Sequence, residues 1–119
     1  MTQRVAVVTG GMGGLGEAIC IKLSGMNYKV VATYSPGNAK SADWLAEMKK
    51  LGHSFHAVQV DVADFDSCAK AVKQIEADVG PIDVLVNNAG ITRDKTFVKM
   101  GKTDWDAVLN TNLDSMFNM

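Results

Sequence analysis

The chain has 119 residues, of which 47% are hydrophobic and 21% charged, enough to bury the core of one globular domain. A net charge of −1 with scattered basic residues leaves no electrostatic footprint for nucleic acid or an anionic membrane surface. No run approaches membrane-spanning length, no leader pattern opens the chain, and the cytoplasm is the expected compartment.

Taken in order, the hydrophobic pattern alternates strand and helix. Residues 4–9 form an apolar β run, followed by the stretch TGGMGGLG from Thr9 to Gly16. Leu15, Ile19, Lys22 and Leu23 then give a helical stripe. Residues 28–34 predict a second strand. Residues 41–51 predict a helix with Trp44, Leu45, Met48 and Leu51 on one side, closed by Gly52. Residues 54–60 predict a third strand. Phe65, Ala69, Val72, Ile75 and Val79 mark a helix that Gly80 and Pro81 stop, with Asp64 as its N-cap. Residues 82–86 (IDVLV) predict a short strand of the doubly buried kind. A last amphipathic helix, N-capped by Thr103, carries Trp105, Val108, Leu109, Leu113, Met116 and Phe117.

Strands separated by helices imply right-handed crossovers and a parallel sheet. The expected fold is α/β, a doubly wound Rossmann-like sheet in the order 3-2-1-4, with ligands at the carboxyl ends of strands 1 and 4. Residues 1–119 read as a single dinucleotide-binding domain. The fourth strand would be an uncovered edge although its letters suit a central position, and the last helix carries no stop signal. The sequence therefore reads as the N-terminal part of a longer fold, truncated after the fourth strand and into the following helix.

Five glycines among the eight residues 9–16 cost backbone entropy, so the turn must need space that side chains would fill. Two spacings fit the letters: Gly11-x-Gly13-x-x-Gly16, the general dinucleotide fingerprint, and Thr9-Gly10-x-x-x-Gly14-x-Gly16. Either places an anion at a helix start, where unpaired amides and the helix dipole favour a pyrophosphate. Gly10 would permit the tight turn, Gly14 the approach of phosphate, and Gly16 close packing of the helix.

After the second strand comes Tyr34-Ser35-Pro36-Gly37-Asn38-Ala39-Lys40, without the acid that bonds an unphosphorylated ribose. Ser35 can donate to a phosphate and Lys40 supplies positive charge, which favours NADP(H) over NAD(H). Asp61 and Val62 end the third strand. The carboxylate suits the adenine amino group and the following amide a ring nitrogen, while Asp61 as a turn cap is the plainer alternative. The fourth strand ends in Asn87, Asn88, Ala89 and Gly90, hydrogen-bonding groups beside a backbone of little bulk. Cys20 and Cys68 show no metal-ligand spacing and read as reduced packing thiols, and no metal is expected. His53 and His56 lie around the third strand, away from the carboxyl-end crevice, and read as structural.

The glycine turn in its second spacing, together with Asn87-Asn88-Ala89-Gly90, resembles the short-chain dehydrogenase/reductase family over essentially the whole chain. MTQRVAVVTGGMGGLG, NNAGITRD and DWDAVLNTNL are similar to the subgroup of bacterial acetoacetyl-CoA reductases of polyhydroxybutyrate synthesis. The neighbouring subgroup, the 3-oxoacyl-acyl-carrier-protein reductases, shares NNAGITRD but carries arginine where Gly13 stands. The resemblance implies cofactor contacts at Gly10, Gly13, Gly14, Leu15, Gly16, Ser35, Lys40, Asp61, Val62, Asn88, Ala89, Gly90 and Thr92. It matches Asn112 to the family's catalytic asparagine, whose main-chain carbonyl holds a water. The family's Ser and its Tyr-x-x-x-Lys pair have no counterpart here, since neither Tyr28 nor Tyr34 is followed by lysine at that spacing. The resemblance thus implies an NADPH-dependent reductase of acetoacetyl-CoA, usually a homotetramer, with this chain as its cofactor half and inactive alone. Asp94 is a candidate substrate contact or a helix N-cap. A non-catalytic nucleotide-binding or interaction module is the other reading of so short a chain.

Overall fold

In a computed structural model, residues 3–90 and 100–119 are described. Four strands, β1 (Val5–Val8), β2 (Lys29–Tyr34), β3 (His56–Gln59) and β4 (Ile82–Val86), form one sheet in the order β3-β2-β1-β4, with every pairing parallel. The crossovers are α1 (Gly14–Gly25), α2 (Ser41–Lys50) and α3 (Phe65–Asp78). After β4 come α4 (Lys102–Leu109), a π-helical segment (Asn110–Asp114) and α5 (Ser115–Asn118). The α/β class and the strand order are those the sequence predicts.

β1 lies between β2 and β4, and Val5, Ala6, Val7 and Val8 are all buried. The sheet separates two cores. On one face Val7, Val31, Val58, Val60 and Val62 pack with Cys68, Ala71 and Ile75 of α3. On the other, Val8, Val30 and Ala32 pack with Cys20 of α1 and with Trp44 and Met48 of α2. Helices on both faces leave the strand ends as the place where a crevice can form.

Several expected details shift. Leu15 is 70% exposed, so α1 meets the sheet through buried Gly16 and Cys20, with Ile19 and Leu23 of the predicted stripe packed partly buried against the same core. Leu51 is also exposed, leaving Trp44 and Met48 as the buried residues of α2. In α3 the buried positions are Cys68, Ala71 and Ile75, while Ala69 and Phe65 face outward. Ile75 is buried and Val79 packs against the same core as predicted, so the change is confined to the first turns, where small Cys and Ala allow closer approach than Phe. Asp64 caps α3 as predicted, accepting from the amides of Asp66 and Ser67. The N-cap of α4 is Gly101, not Thr103: the Asp104 carboxylate reaches back to the Gly101 amide at 3.3 Å, which starts the helix earlier. β4 alternates half-buried and exposed positions, with Leu85 36% exposed, since β1 is its neighbour on one side only. Its buried-strand composition is therefore not matched by burial among the described residues.

Candidate functional site

The carboxyl ends of β1, β2, β3 and β4 surround a cleft of about 500 Å³. Four loop segments build it. They are the glycine turn after β1, the turn through Ser35 and Asn38 after β2, Val60, Asp61 and Val62 after β3, and Asn88, Ala89 and Gly90 after β4. Thr111, from the π-helical segment, completes the lining.

The glycine turn is tight and cross-tied. Gly10 sits at φ +63°, a left-handed conformation that glycine adopts without steric penalty. Its amide donates to Thr33 Oγ1 at 3.3 Å, and its carbonyl accepts from Gly13 N at 3.2 Å and from Asn88 Nδ2 at 3.1 Å. Gly16 passes so close that a β-carbon there would stand 2.2 Å from the Gly10 oxygen. Gly16 thus packs the helix against its own turn, one step nearer than the strand. Gly14, by contrast, opens α1 with nothing within 4 Å of the position its β-carbon would take. The first amides of a helix have no intrahelical acceptor, so this cradle is shaped for an anion and left open toward it.

The β1 and β4 ends are joined by Thr9, which is 1% exposed. Its Oγ1 accepts from the amides of Asn88 and Ala89, both at 3.0 Å, and donates to the Val86 carbonyl at 3.4 Å. Gly90 lies against Asn112, whose Oδ1 would be 3.2 Å from a β-carbon on that glycine. Asn112 sits in the π-helical segment, where the wider helical turn re-aims side chains and carbonyls.

At the β3 end the Asp61 carboxylate accepts from Ala63 N at 3.1 Å, so it caps its own turn while lining the cleft. Both alternatives for Asp61 share one geometry: one oxygen turns inward to the loop and the residue still borders the cleft. The Asp61 amide donates to Ser67 Oγ at 3.0 Å.

Both thiols are buried and reduced. Burial, with a smaller contribution from the Glu17 charge, pushes the Cys20 thiol up to about 11. Cys68 is also raised, by burial and then by Asp61 and Asp64. Neither is poised as a thiolate nucleophile. Glu17, in the first turn of α1, accepts from Trp44 Nε1 at 2.9 Å and so links α1 to α2. His53 stacks on Phe55, centroids 5.4 Å apart, in the arrangement of a packing residue.

Of the residues singled out from the sequence, Gly10, Gly13, Gly14, Leu15, Gly16, Ser35, Asp61, Val62, Asn88, Ala89 and Gly90 line one cleft. Lys40 stands outside its lining, exposed at the N-cap of α2, and Asn112 stands behind Gly90. Thr92 and Asp94 lie outside the described residues. Sequence reasoning missed Met12, Thr33, Tyr34, Asn38, Val60 and Thr111, which also line the cleft. Asn38 closes a turn to the Ser35 carbonyl at 3.0 Å and accepts from the Lys40 amide at 2.8 Å, organising the loop between them. The Ser-Pro-Gly-Asn letters signalled a turn but not which side of it would face the cleft.

A family model described as short chain dehydrogenase matches residues 4–119. The chain is 53% identical over 119 residues to nodulation protein G of Azospirillum brasilense, covering 100% of this chain and 48% of that protein. It is 51% identical over 119 residues to the acetoacetyl-CoA reductase of Cupriavidus necator, again covering 100% of this chain and 48% of the relative. Among solved structures it resembles a blue fluorescent protein from a metagenomic library, crystallised in complex with NADPH. There the TM-score is 0.84 at 33% identity, covering 97% of this chain and 47% of the other. The chain thus spans about half the length of the curated relatives it matches.

Proposed function

Because the chain belongs to the short chain dehydrogenase family, we propose that it is the NADP(H)-binding half of a reductase acting on a 3-oxoacyl thioester. Acetoacetyl-CoA, reduced to 3-hydroxybutyryl-CoA, is the substrate we assign. The observation that carries the cofactor assignment is the continuous cleft across all four strand ends, entered by a helix N-terminus whose first glycine faces open space. A dinucleotide is an extended ligand with a central diphosphate, and such a cleft suits it. The likeness to a protein crystallised with NADPH, and the absence of an acid after β2, favour the phosphorylated cofactor. The thioester assignment is supported by the 51% identity to an acetoacetyl-CoA reductase.

Within this reading the amides around Gly14 and Leu15 receive the diphosphate. Ser35 and Lys40 meet the 2′-phosphate. Asp61 and Val62 border the adenine, and Asn88, Ala89, Gly90 and Thr92 border the nicotinamide riboside. The bound cofactor supplies the hydride for the ketone carbon. Asn112, behind Gly90, is assigned to the proton-relay side and Asp94 to the acyl thioester. The proton donor is assigned to the part of the relatives' length that this chain does not match, since Tyr28 immediately precedes β2, Tyr34 ends it, and neither is followed by lysine at the family's spacing. We assign the complete reductase to the cytoplasm and to a homotetramer.

The test is NADPH oxidation by the full-length protein with acetoacetyl-CoA. The reading expects turnover with NADPH well above that with NADH. Turnover confined to an acyl-carrier-protein thioester would move the assignment to the neighbouring subgroup, and nucleotide binding without turnover of either thioester would leave a binding module.

A further inference from the structure

The Val62 carbonyl, in the cleft wall after β3, receives side-chain donors from two helices. Nδ2 of Asn118, in α5, donates to it at 2.9 Å. The Cys68 thiol, in α3, approaches the same oxygen at 3.7 Å and the Asp61 carbonyl at 3.6 Å. With Ser67 Oγ accepting from the Asp61 amide at 3.0 Å, the backbone bordering the cleft is bonded from behind.

These partners differ in origin. Ser67 and Cys68 lie six or seven residues from the groups they hold, so they belong to the folding of that one connection. Asn118 comes from 56 residues away. It is half-buried, and its helix, in which Ser115 is buried, meets α3 through the stacked rings of Phe65 and Phe117, centroids 6.1 Å apart. Six residues earlier the same helical run holds Asn112 against Gly90, a separation of about 9 Å at 1.5 Å per residue. One helix therefore touches the backing of two walls of the cleft, one after β3 and one after β4.

We infer that Asn118 is a positioning residue for the adenine end of the dinucleotide. By holding the Val62 carbonyl it fixes which way the peptide groups around Asp61 and Val62 face, and it ties that wall to the helix carrying Asn112. The inference rests on the NADP(H) reading. A bond that only docked α5 would change stability without distinguishing one end of the ligand from the other.

The experiment uses the full-length protein with Asn118→Leu, which keeps volume but removes the donor, and with Cys68→Ala, which removes the second donor to the same oxygen. Isothermal titration with 2′,5′-ADP probes the adenine half, and titration with reduced nicotinamide mononucleotide probes the other. The expected result is a roughly three- to tenfold loss of 2′,5′-ADP affinity in Asn118→Leu, the scale of one neutral hydrogen bond, with nicotinamide mononucleotide unchanged. Cys68→Ala should lose in the same direction by less, its S–H being the weaker donor. Unchanged 2′,5′-ADP affinity in Asn118→Leu, or equal losses for the two halves, overturns the inference and leaves the cofactor reading standing. Failure of the unmodified protein to bind 2′,5′-ADP overturns both.

Discussion

The hydroxyl of Thr9 accepts from the Ala89 amide at 3.0 Å, and from the preceding Asn88 amide at the same distance, so one buried side chain at the end of β1 organises the turn after β4. The two turns are otherwise joined by Asn88 Nδ2 on the Gly10 carbonyl. Thr9→Val keeps the shape and removes the acceptor, stranding two amides. It should destabilise the protein by about 2–4 kcal/mol, whereas Thr9→Ser, which keeps the oxygen and loses a methyl, should cost about 1 kcal/mol. Urea unfolding of the two variants checks this, and equal losses would show that the hydroxyl contributes little.

Gly14 and Gly16 should fail in different ways. A β-carbon at Gly16 meets the Gly10 oxygen at 2.2 Å and Gly11 Cα at 2.8 Å, so Gly16→Ala must move backbone and should lower stability by roughly 2–4 kcal/mol. At Gly14 the same atom meets nothing within 4 Å. Gly14→Val should therefore keep most of the fold while obstructing a diphosphate at the helix start. Thermal melts with and without NADPH separate the outcomes: Gly14→Val should melt near the parent without ligand and lose the ligand-induced rise. A rise of the parental size would remove Gly14 from the diphosphate site.

The alternating hydrophobic pattern made the strand order legible, because valine-rich runs separated by amphipathic helices admit few parallel arrangements. The glycine turn and Asn87-Asn88-Ala89-Gly90 were legible as neighbours for the same reason: β1 and β4 are adjacent, and their carboxyl ends meet. Helix rotation was not. Phe65 and Leu15 are apolar yet exposed, while small Cys68 and Cys20 are buried, since close approach to the sheet selects size over hydrophobicity. Nor was the tie between Asn118 and Val62 readable, because a side-chain amide carries no periodic signal and its partner is a backbone oxygen 56 residues away.

Cys20 should leave a mark on alkaline stability. Its thiol lies wholly buried beneath the glycine turn, 3.7 Å from the Gly11 carbonyl, and burial raises it from 9.0 to about 11. Below pH 9 the thiol is neutral in both folded and unfolded chains, and its contribution is fully present. Between pH 9 and 11 the unfolded chain ionises first, so the unfolded state releases the proton that the native state keeps and stability falls. Two units correspond to about 2–3 kcal/mol. Cys20→Ala removes that proton from the balance. Its stability relative to the parent should improve by this amount between pH 8.5 and 11, measured by urea unfolding, and a constant difference across the range would contradict the burial argument.

Lys40 occupies a place that the fold itself does not favour. It is the N-cap of α2, where the helix dipole presents partial positive charge, and it is exposed and outside the lining of the cleft. Its backbone amide is held by Asn38 Oδ1 at 2.8 Å, a bond that any residue could make. A cation at a helix N-terminus costs a few tenths of a kcal/mol, so Lys40→Ala should leave stability unchanged or raise it by about 0.5 kcal/mol. If the ammonium meets the 2′-phosphate together with Ser35, the same change should weaken NADPH binding by about 1–2 kcal/mol. NADH, which lacks that phosphate, should bind as before. The selectivity should also shrink as salt rises from about 0.01 to 1 M, where the screening length falls from about 30 Å to 3 Å, because the ammonium is exposed. Titration of both nucleotides against parent and variant at two salt concentrations decides the matter. Equal weakening of NADPH and NADH would make Lys40 a general electrostatic contributor, and no weakening of either would return it to the solvent.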